Sequence, residues 1–184
     1  MKFISTPFSG LYLIEPKIFG DSRGYFFESF QLDAFEKNMG KVEFVQENES
    51  KSGYGVLRGL HFQKPPYTQA KLVRCISGTI LDVVVDLRKD SSTFKKHYSV
   101  ELSADNKLQL FIPRGFAHGF VVLSEEAIFS YKVDNLYAPT HDGGVRFDDP
   151  ELAIDWNLPK EAIKLSVKDQ ELPFVAQLEM PDFI

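Results

Sequence analysis

The sequence predicts an all-β protein, and three observations lead to this fold class. Gly and Pro interrupt the 184-residue chain at short, fairly even intervals. Most of the runs between them alternate apolar and polar residues, as strands with one buried face do. The 17 Phe and 7 Tyr favour strands and a large apolar interior. Short strands with turns about every eight to twelve residues predict a sandwich, a jelly roll or a small barrel.

The clearest strand spans residues 80–87. Its apolar face carries Leu81, Val83, Val85 and Leu87, and its other face carries Asp82, Val84 and Asp86. The same alternation predicts four more strands in the second half of the chain, over 97–102, 108–112, 120–123 and 127–133.

Helices are predicted to be few, short and peripheral. One runs from about Leu32 to Asn38, where apolar residues recur with helical spacing and Gly40 stands in the position of a C-terminal cap. A short second helix is predicted after Asp149 and Pro150. The rest of the C-terminal third is loop-rich and is expected to wrap the barrel. Without a linker or an internal repeat, the chain is expected to form a single domain over residues 1–184.

Composition and charge exclude several classes of protein. The net charge of −5 gives no strongly positive field for DNA or RNA. The single cysteine, Cys75, cannot form an intramolecular disulfide and suits a reducing compartment. The N-terminus has no apolar run of signal-peptide length, and no stretch approaches the ~20 apolar residues that span a bilayer. We therefore expect a cytoplasmic protein that does not enter a membrane.

Two of the four histidines lie in segments that resemble the two halves of a cupin jelly roll. His61 lies in RGLHFQ, and His118 lies in IPRGFAHGF after a Pro-Gly turn. Metal-binding cupins carry H-x-H in the first half, whereas this chain has His61-Phe62-Gln63. A neutral amide is a poor ligand for a transition metal, so we expect a cupin-like double-stranded β-helix without a metal. His61 is then free to act as a base near neutral pH.

Polar residues crowd the region around His61, where a barrel interior should be apolar. The residues Arg58, His61, Gln63, Lys71 and Arg74 fall within seventeen positions, and Tyr131 and Lys132 follow in a later strand. Burying such groups without partners is costly, which predicts a wet or ligand-filled cavity. Arginines there would suit phosphate oxygens. Arg58 and His61 should face opposite sides of a regular strand, but a bulge at Gly59 would bring them together.

The sequence resembles the dTDP-4-dehydrorhamnose 3,5-epimerase family across most of its length. Eight segments are similar to family segments in the same order: GDSRGYFFESF, FVQENES, GVLRGLHFQ, QAKLVRCISGTILDVVVDLRKDSSTF, LSADNKLQLFIPRGFAHGFVVLS, YKVDNLYAP, RFDDPELAIDW and LSVKDQ. The family inverts C3 and C5 beside the C4 ketone of a dTDP-4-keto-6-deoxy sugar. The resemblance implies an isomerase of dTDP-L-rhamnose biosynthesis that requires no cofactor.

The resemblance also assigns four catalytic roles. His61 would be the base, oriented by the carboxylate of Asp169, with Asp82 as the other carboxylate that could serve. Lys71 would hold the negative charge that develops on the C4 oxygen. Tyr131 would return a proton from the other face. These residue types suit the roles, because a phenol donates well to an enolate and an ammonium stabilises one.

Substrate binding and assembly are implied in the same way. The implied substrate-binding residues are Arg23, Glu28, Gln46, Glu47, Asn48, Arg58, Lys71, His118, Asp142 and Lys168. Arg23 and Glu28 would reach into the partner's site in a homodimer, and Arg58 would hold the pyrophosphate. Phe19 and Tyr137 would stack on thymine, although core packing is an equal interpretation of Phe19. The family often has a glutamate near Asp142, so that position departs from the family's pattern.

Three other functions are compatible with the same residues. A single-centre epimerase or a ketoisomerase would use a related set, because placement of the acid decides which carbon is reprotonated. A non-catalytic module would bind the sugar nucleotide and exchange no protons. A metal-dependent cupin oxygenase is disfavoured by Gln63. For the homodimer, one support comes from the residues alone: the segment YFFESF would otherwise expose a large apolar strand edge.

Overall fold

The computed structural model describes residues 1–183 and is built mainly of strands. In chain order the strands are β1 (Lys2–Ser5), β2 (Tyr12–Glu15), β3 (Phe19–Asp21), β4 (Gly24–Phe26), β5 (Gln46–Gly53), β6 (Leu57–Gln63), β7 (Lys71–Ser77), β8 (Thr79–Asp86), β9 (His97–Ser103), β10 (Gln109–Ile112), β11 (Phe116–Val122), β12 (Glu126–Val133) and β13 (Asp142–Gly144). The helices are α1 (Leu32–Met39) and α2 (Val167–Gln170), with 3-10 turns at Pro139–His141, Lys160–Ala162 and Val175–Gln177.

Two antiparallel sheets form the body of the protein. One has the order β1-β2-β10-β7-β12-β5, and the other has the order β13-β6-β11-β8-β9. The chain crosses between the sheets repeatedly, so that neighbouring strands are mostly distant in sequence. This is the predicted all-β jelly roll of the cupin type. The strands β3 and β4 pair with each other as a separate two-stranded hairpin.

The strand β8 shows how alternation in the sequence builds two apolar layers. Ile80 and Val84 pack into the core between the sheets, with Phe120 and Phe129. The alternate residues, including Val83, pack outward against the C-terminal segment, where Trp156 and Val175 are buried. Burying a Val or Leu side chain contributes roughly 1.5–3 kcal/mol. The loop-rich C-terminal third therefore covers the second sheet, as the sequence predicts.

Most predicted elements are confirmed, and one is wrong. The five later strands and α1 lie where they are predicted, and Gly40 donates its N–H to the carbonyl of Glu36 at the end of α1. No helix follows Asp149 in residues 150–158. The Asp149 carboxylate instead accepts the backbone N–H groups of Glu151 and Leu152, which closes a turn. Side-chain bonding of this kind competes with helix formation.

Two further expectations concern compartment and membrane. Cys75 is buried, and burial raises the pKa of its thiol to about 11, so it is an inert core residue. Within residues 1–183, no helix has the length and apolar character needed to cross a membrane.

Candidate active site

A cavity of about 710 Å³ lies between the two sheets and is bordered by the C-terminal segment. Strands β5, β6, β7, β11 and β12 and the helix α2 all contribute to its wall. The charged and polar residues on the wall include Asn48, Arg58, His61, Lys71, His118, Tyr131, Lys168 and Asp169. Eight of the residues predicted from the sequence therefore share one cavity.

Arg58 and His61 both reach this cavity although they are three residues apart on β6. The register of β6 against β11 shifts between the His118 and Phe120 positions, opposite Gly59. Gly59 has φ +117°, a conformation that favours glycine. The predicted irregularity at Gly59 is confirmed, and it resolves the conflict with strand alternation.

His61 forms a dyad with Asp169. Its Nε2 lies 2.6 Å from Oδ1 of Asp169, which is buried at the start of α2. The Ser166 hydroxyl caps α2 by accepting the N–H of Asp169. Burial disfavours the ionised carboxylate, but the hydrogen bond and charge of His61 outweigh it, so that the pKa of Asp169 is lowered. Asp169 therefore stays ionised behind the His61 ring and orients it.

The alternative partner of His61, Asp82, pairs with a different histidine. Its Oδ2 lies 2.9 Å from Nε2 of His118, and both residues are buried. Within residues 1–183 its Oδ1 has no hydrogen-bond partner. Burial lowers the pKa of His118, although Asp82 opposes the shift. In the structure, the His61 ring therefore pairs with Asp169, and Asp82 pairs with His118.

Lys71 and Tyr131 lie on the neighbouring strands β7 and β12, with the Lys71 Nζ 6.0 Å from the centre of the Tyr131 ring. Burial lowers the pKa of Lys71 to about 8, against the opposing charges of Asp82 and Asp142. Burial also raises the pKa of Tyr131. The site thus holds a protonated phenol on Tyr131 and an ammonium on Lys71 whose pKa, about 8, lies close to neutral pH.

A smaller compartment of about 310 Å³ continues from the same wall. His61, Lys71 and Tyr131 border both spaces. Gln46, Tyr137 and Asp142 border the smaller compartment and not the larger one, whereas Lys168 borders both. The Asp142 Oδ2 accepts hydrogen bonds from Lys168 Nζ and, at 3.2 Å, from Tyr137 Oη. The contact with Asp142 raises the pKa of Lys168, so this lysine carries a charge beside the dyad.

Four of the predicted binding residues lie outside both compartments. Glu47 is on the opposite face of β5 from Gln46 and Asn48, as strand alternation requires, and it accepts hydrogen bonds from Lys132 and Ser130. The other three are exposed and lie on or beside the β3-β4 hairpin: Phe19, Arg23 and Glu28. Phe19 is 52% exposed, so the interpretation of Phe19 as a core residue is wrong.

A family model described as dTDP-4-dehydrorhamnose 3,5-epimerase matches residues 5–177. The chain belongs to the dTDP-4-dehydrorhamnose 3,5-epimerase family. The dTDP-4-dehydrorhamnose 3,5-epimerase of Shigella flexneri is 53% identical over 170 residues, which covers 92% of this chain and 93% of the relative. The resemblance drawn from the sequence is thereby confirmed.

Solved structures of the 3,5-epimerase family share the fold. The epimerase of Elizabethkingia anophelis has a TM-score of 0.92 at 55% identity, covering 96% of this chain and 97% of that one. The dTDP-6-deoxy-D-glucose-3,5-epimerase of Legionella pneumophila, solved with dTDP-4-keto-L-rhamnose, has a TM-score of 0.94 at 44% identity. That comparison covers 100% of this chain and 98% of the other.

For this member of the 3,5-epimerase family, the structure adds residues that the sequence did not single out. Lys164 and Ser166 border the larger compartment. Lys164 is brought there by a bridge to Val56, more than a hundred residues away in sequence, and no local pattern signals it. Ser166 has a local signal, since S-x-x-D is a helix N-cap pattern. Within residues 1–183, no three His, Cys, Asp or Glu side chains converge as a metal-ligand set.

Proposed function

We propose that this chain is a dTDP-4-dehydrorhamnose 3,5-epimerase. It would convert dTDP-4-dehydro-6-deoxy-D-glucose to dTDP-4-dehydro-L-rhamnose, a step of dTDP-L-rhamnose biosynthesis. One observation carries the proposal: the His61–Asp169 dyad shares a cavity with Tyr131 and Lys71. These groups supply the base, the acid and the cation that inversion beside a ketone needs.

His61 is the proposed base. The carbons C3 and C5 flank the C4 carbonyl, so loss of a proton from either one gives an enolate. Asp169 holds the His61 ring and stabilises the imidazolium that forms when it accepts the proton. The ring is still accessible, because the His61 side chain is 31% exposed on the cavity wall. His61 can therefore meet a substrate carbon while its partner stays buried.

Lys71 is the proposed stabiliser of the enolate oxygen. Negative charge develops on the C4 oxygen as the proton leaves, and the desolvated Lys71 ammonium stabilises that charge more than water does. Within the described residues the Lys71 ammonium makes no hydrogen bond or salt bridge to a carboxylate. Its charge is available to the substrate.

Tyr131 is the proposed acid. Its raised pKa keeps the phenol protonated near neutral pH, so it can return a proton to the enolate carbon. Protonation from the face opposite His61 inverts the carbon. Each inversion removes one proton and returns one, with no net change in electrons, so we propose that the enzyme needs no cofactor.

Basic residues along the cavity form the proposed binding site for the nucleoside diphosphate. Arg58 is held by a hydrogen bond from its Nε to the Ser52 hydroxyl, at 3.0 Å. Lys168 stands at the junction of both compartments. Guanidinium and ammonium groups bind phosphate oxygens well. The net charge of the chain is −5, so these basic groups form a local positive site in an acidic protein. The Gln46, Asn48 and Asp142 side chains are proposed to contact the sugar or the base, and His118 the sugar.

The exposed β3-β4 hairpin supports a proposed homodimer with shared active sites. Tyr25 and Phe26 are exposed together with Phe19, which leaves an apolar patch on the surface of the hairpin. We propose that the hairpin packs on the partner and brings Arg23 and Glu28 to its cavity. Co-expression of a His61→Ala chain with an Arg23→Ala chain tests this, because one mixed dimer would then hold one intact site. Activity no greater than that of either variant alone would exclude shared sites.

We also propose a cytoplasmic location. The buried, unpaired thiol of Cys75 fits a reducing compartment. Fractionation of cells, with the protein followed by antibody, tests this proposal.

The function is tested by incubating the protein with dTDP-4-keto-6-deoxyglucose in heavy water. Deuterium at both C3 and C5, with formation of the L-rhamno product, is expected. Deuterium at only one carbon would instead support a single-centre epimerase or a ketoisomerase. If the protein bound the substrate without any exchange, it would be a binding module. The His61→Ala variant is the control for exchange that the enzyme does not catalyse.

A further inference from the structure

Gln63 is a buried amide for which the proposed mechanism has no role. It ends β6 two residues after His61, at the position where metal-binding cupins carry the second histidine of H-x-H. The residue is only 4% exposed, yet it borders the smaller compartment. A buried amide needs partners, because an unsatisfied one costs about 1–3 kcal/mol.

Gln63 finds all of its partners in the backbone of two loops. Its Nε2 donates to the carbonyl of Tyr67 at 2.7 Å and to the carbonyl of Leu136 at 3.1 Å. Its Oε1 accepts the N–H of Ala138 at 2.7 Å. Both donors of the amide are thus satisfied, and its oxygen is engaged. Gln63 joins the loop after β6 to the loop after β12.

Two of these hydrogen bonds hold the backbone on either side of Tyr137. Leu136 and Ala138 are the residues before and after it, so the amide plane of Gln63 fixes the peptide groups that flank Tyr137. The Tyr137 side chain borders the smaller compartment with His61 and Lys71. Its hydroxyl is directed to Asp142, which also binds Lys168.

Packing does not supply this restraint. Leu136 is 59% exposed and Tyr137 is 53% exposed, so little apolar surface holds the segment in place. The backbone N–H of Tyr137 has a long contact of 3.4 Å with Gln46 Oε1. An exposed loop of this kind is mobile unless hydrogen bonds fix it. Gln63 makes the shortest of the hydrogen bonds from a side chain to residues 136–138.

We propose that Gln63 is a positioning residue that acts through Tyr137 on binding of the nucleoside diphosphate sugar. The three hydrogen bonds of Gln63 to the backbone of Tyr67, Leu136 and Ala138 hold one wall of the substrate cavity in place, and we call them the Gln63 clamp. This inference rests on the proposed function for the identity of the ligand. The clamp itself rests only on the hydrogen bonds of Gln63 and on the place of Tyr137 in the cavity.

Two substitutions at Gln63 test the clamp. Gln63→Met keeps the volume and removes every hydrogen bond. Gln63→Glu keeps the bond from Ala138 but sets a carboxylate against two carbonyl oxygens. For both variants we expect KM to rise about tenfold while kcat changes less than about twofold, since a displaced contact residue weakens binding and His61 is held by its own strand. An unchanged KM in a folded Gln63→Met variant would overturn the proposal.

A double-mutant cycle with Tyr137 separates positioning from a general structural effect. In a Tyr137→Ala background, Gln63→Met should raise KM less than about twofold further, because the residue it positions is gone. A second full tenfold rise would show that Gln63 does not act through Tyr137. Asn106→Leu is the matched control, since the Asn106 amide makes three hydrogen bonds to backbone in the β9–β10 turn, remote from the cavity. It should lower Tm and leave KM unchanged.

Hydrogen exchange tests the clamp without any turnover. The amide of Ala138 should lose protection in Gln63→Met and keep it in Asn106→Leu. Unchanged protection of Ala138 would overturn the clamp. If the wild-type protein turned over no dTDP-4-keto sugar, the proposed function would fail. In that case the double-mutant cycle of Gln63→Met and Tyr137→Ala would be repeated with the Kd for dTDP in place of KM, and it would still decide the role of Gln63.

Discussion

His61 and His118 lie directly opposite each other in the β6–β11 ladder, yet each pairs with a different carboxylate. His61 bonds Asp169 from the C-terminal helix, and His118 bonds Asp82 from β8. The His61 side chain is 31% exposed, whereas that of His118 is 7% exposed. Both border the cavity, and His61 is the more accessible of the two, which favours it as the proposed base.

Replacing His61 with alanine should remove the base and leave the binding site in place. We expect kcat to fall about 10²- to 10⁴-fold, the usual contribution of general base catalysis. The Kd for dTDP should change little, because Arg58 and Lys168 remain. Deuterium uptake from heavy water and calorimetric titration with dTDP measure the two effects.

His97→Ala is the control for His61→Ala, since His97 begins β9 and does not border either compartment. It should leave deuterium uptake unchanged. Wild-type exchange in His61→Ala would show that another group is the base.

Replacing Tyr131 with phenylalanine should separate proton removal from inversion. His61 would still take a proton and return solvent deuterium to the same face, while the opposite face would lack its acid. We therefore expect product formation to fall about 10²-fold or more, with deuterium still entering unreacted substrate. Product yield and isotope content, followed by NMR, give both quantities. Equal losses of exchange and of inversion would contradict a role for Tyr131 as the acid alone.

The pKa of Lys71 predicts an alkaline limit to activity. Burial lowers this pKa to about 8, so Lys71 loses its charge as the pH rises through about 8. The enolate oxygen then loses its cation, and kcat/KM should fall by about tenfold per pH unit above that point, because kcat/KM follows the protonation state of the free enzyme. A pH profile of kcat/KM measures this alkaline limb.

Two variants assign this limb to Lys71. Lys71→Arg keeps its charge at every accessible pH, so the limb should disappear even if the maximum rate is lower. Asp82→Asn removes the negative charge that opposes the lowering of the Lys71 pKa, so the limb should move to lower pH. If activity fell at the same pH in both variants as in the wild-type protein, the fall would be due to another group.

The alternation of apolar residues predicted an all-β protein built as a sandwich, a jelly roll or a small barrel, and the resemblance of the His61 and His118 segments to the two halves of a cupin narrowed the choice to the jelly roll. The strand β8 shows why, because its two faces pack on two separate layers and both layers need apolar side chains in register. The predicted helix after Asp149 failed for a local reason. A single carboxylate satisfied the backbone N–H groups that a helix would have left free.

The residue types alone predicted the polar wall around His61, whereas Asp169 was predicted as the partner of His61 only through the family resemblance. Asp169 is 108 positions away from His61, and nothing near either residue indicates the contact. Lys164 was missed for the same reason, since a single long-range bridge places it. Glu47 illustrates the opposite case, because simple alternation with Gln46 and Asn48 already directs its side chain away from the cavity.

Gly59 is expected to tolerate no side chain, because it combines a glycine-type conformation with a close approach of β11. Its φ is +117°, and a Cβ there would lie 2.6 Å from both the Gly119 Cα and the His118 carbonyl oxygen. Gly59→Ala should therefore lower the free energy of unfolding by about 3 kcal/mol or more, since the contacting atoms are backbone and cannot move aside. Gly24→Ala is the matched control, with φ +129° and nothing within 4 Å of the added Cβ. It should cost only the conformational part, about 1–2 kcal/mol. Urea denaturation measures both, and equal losses would mean that the contact with β11 contributes nothing.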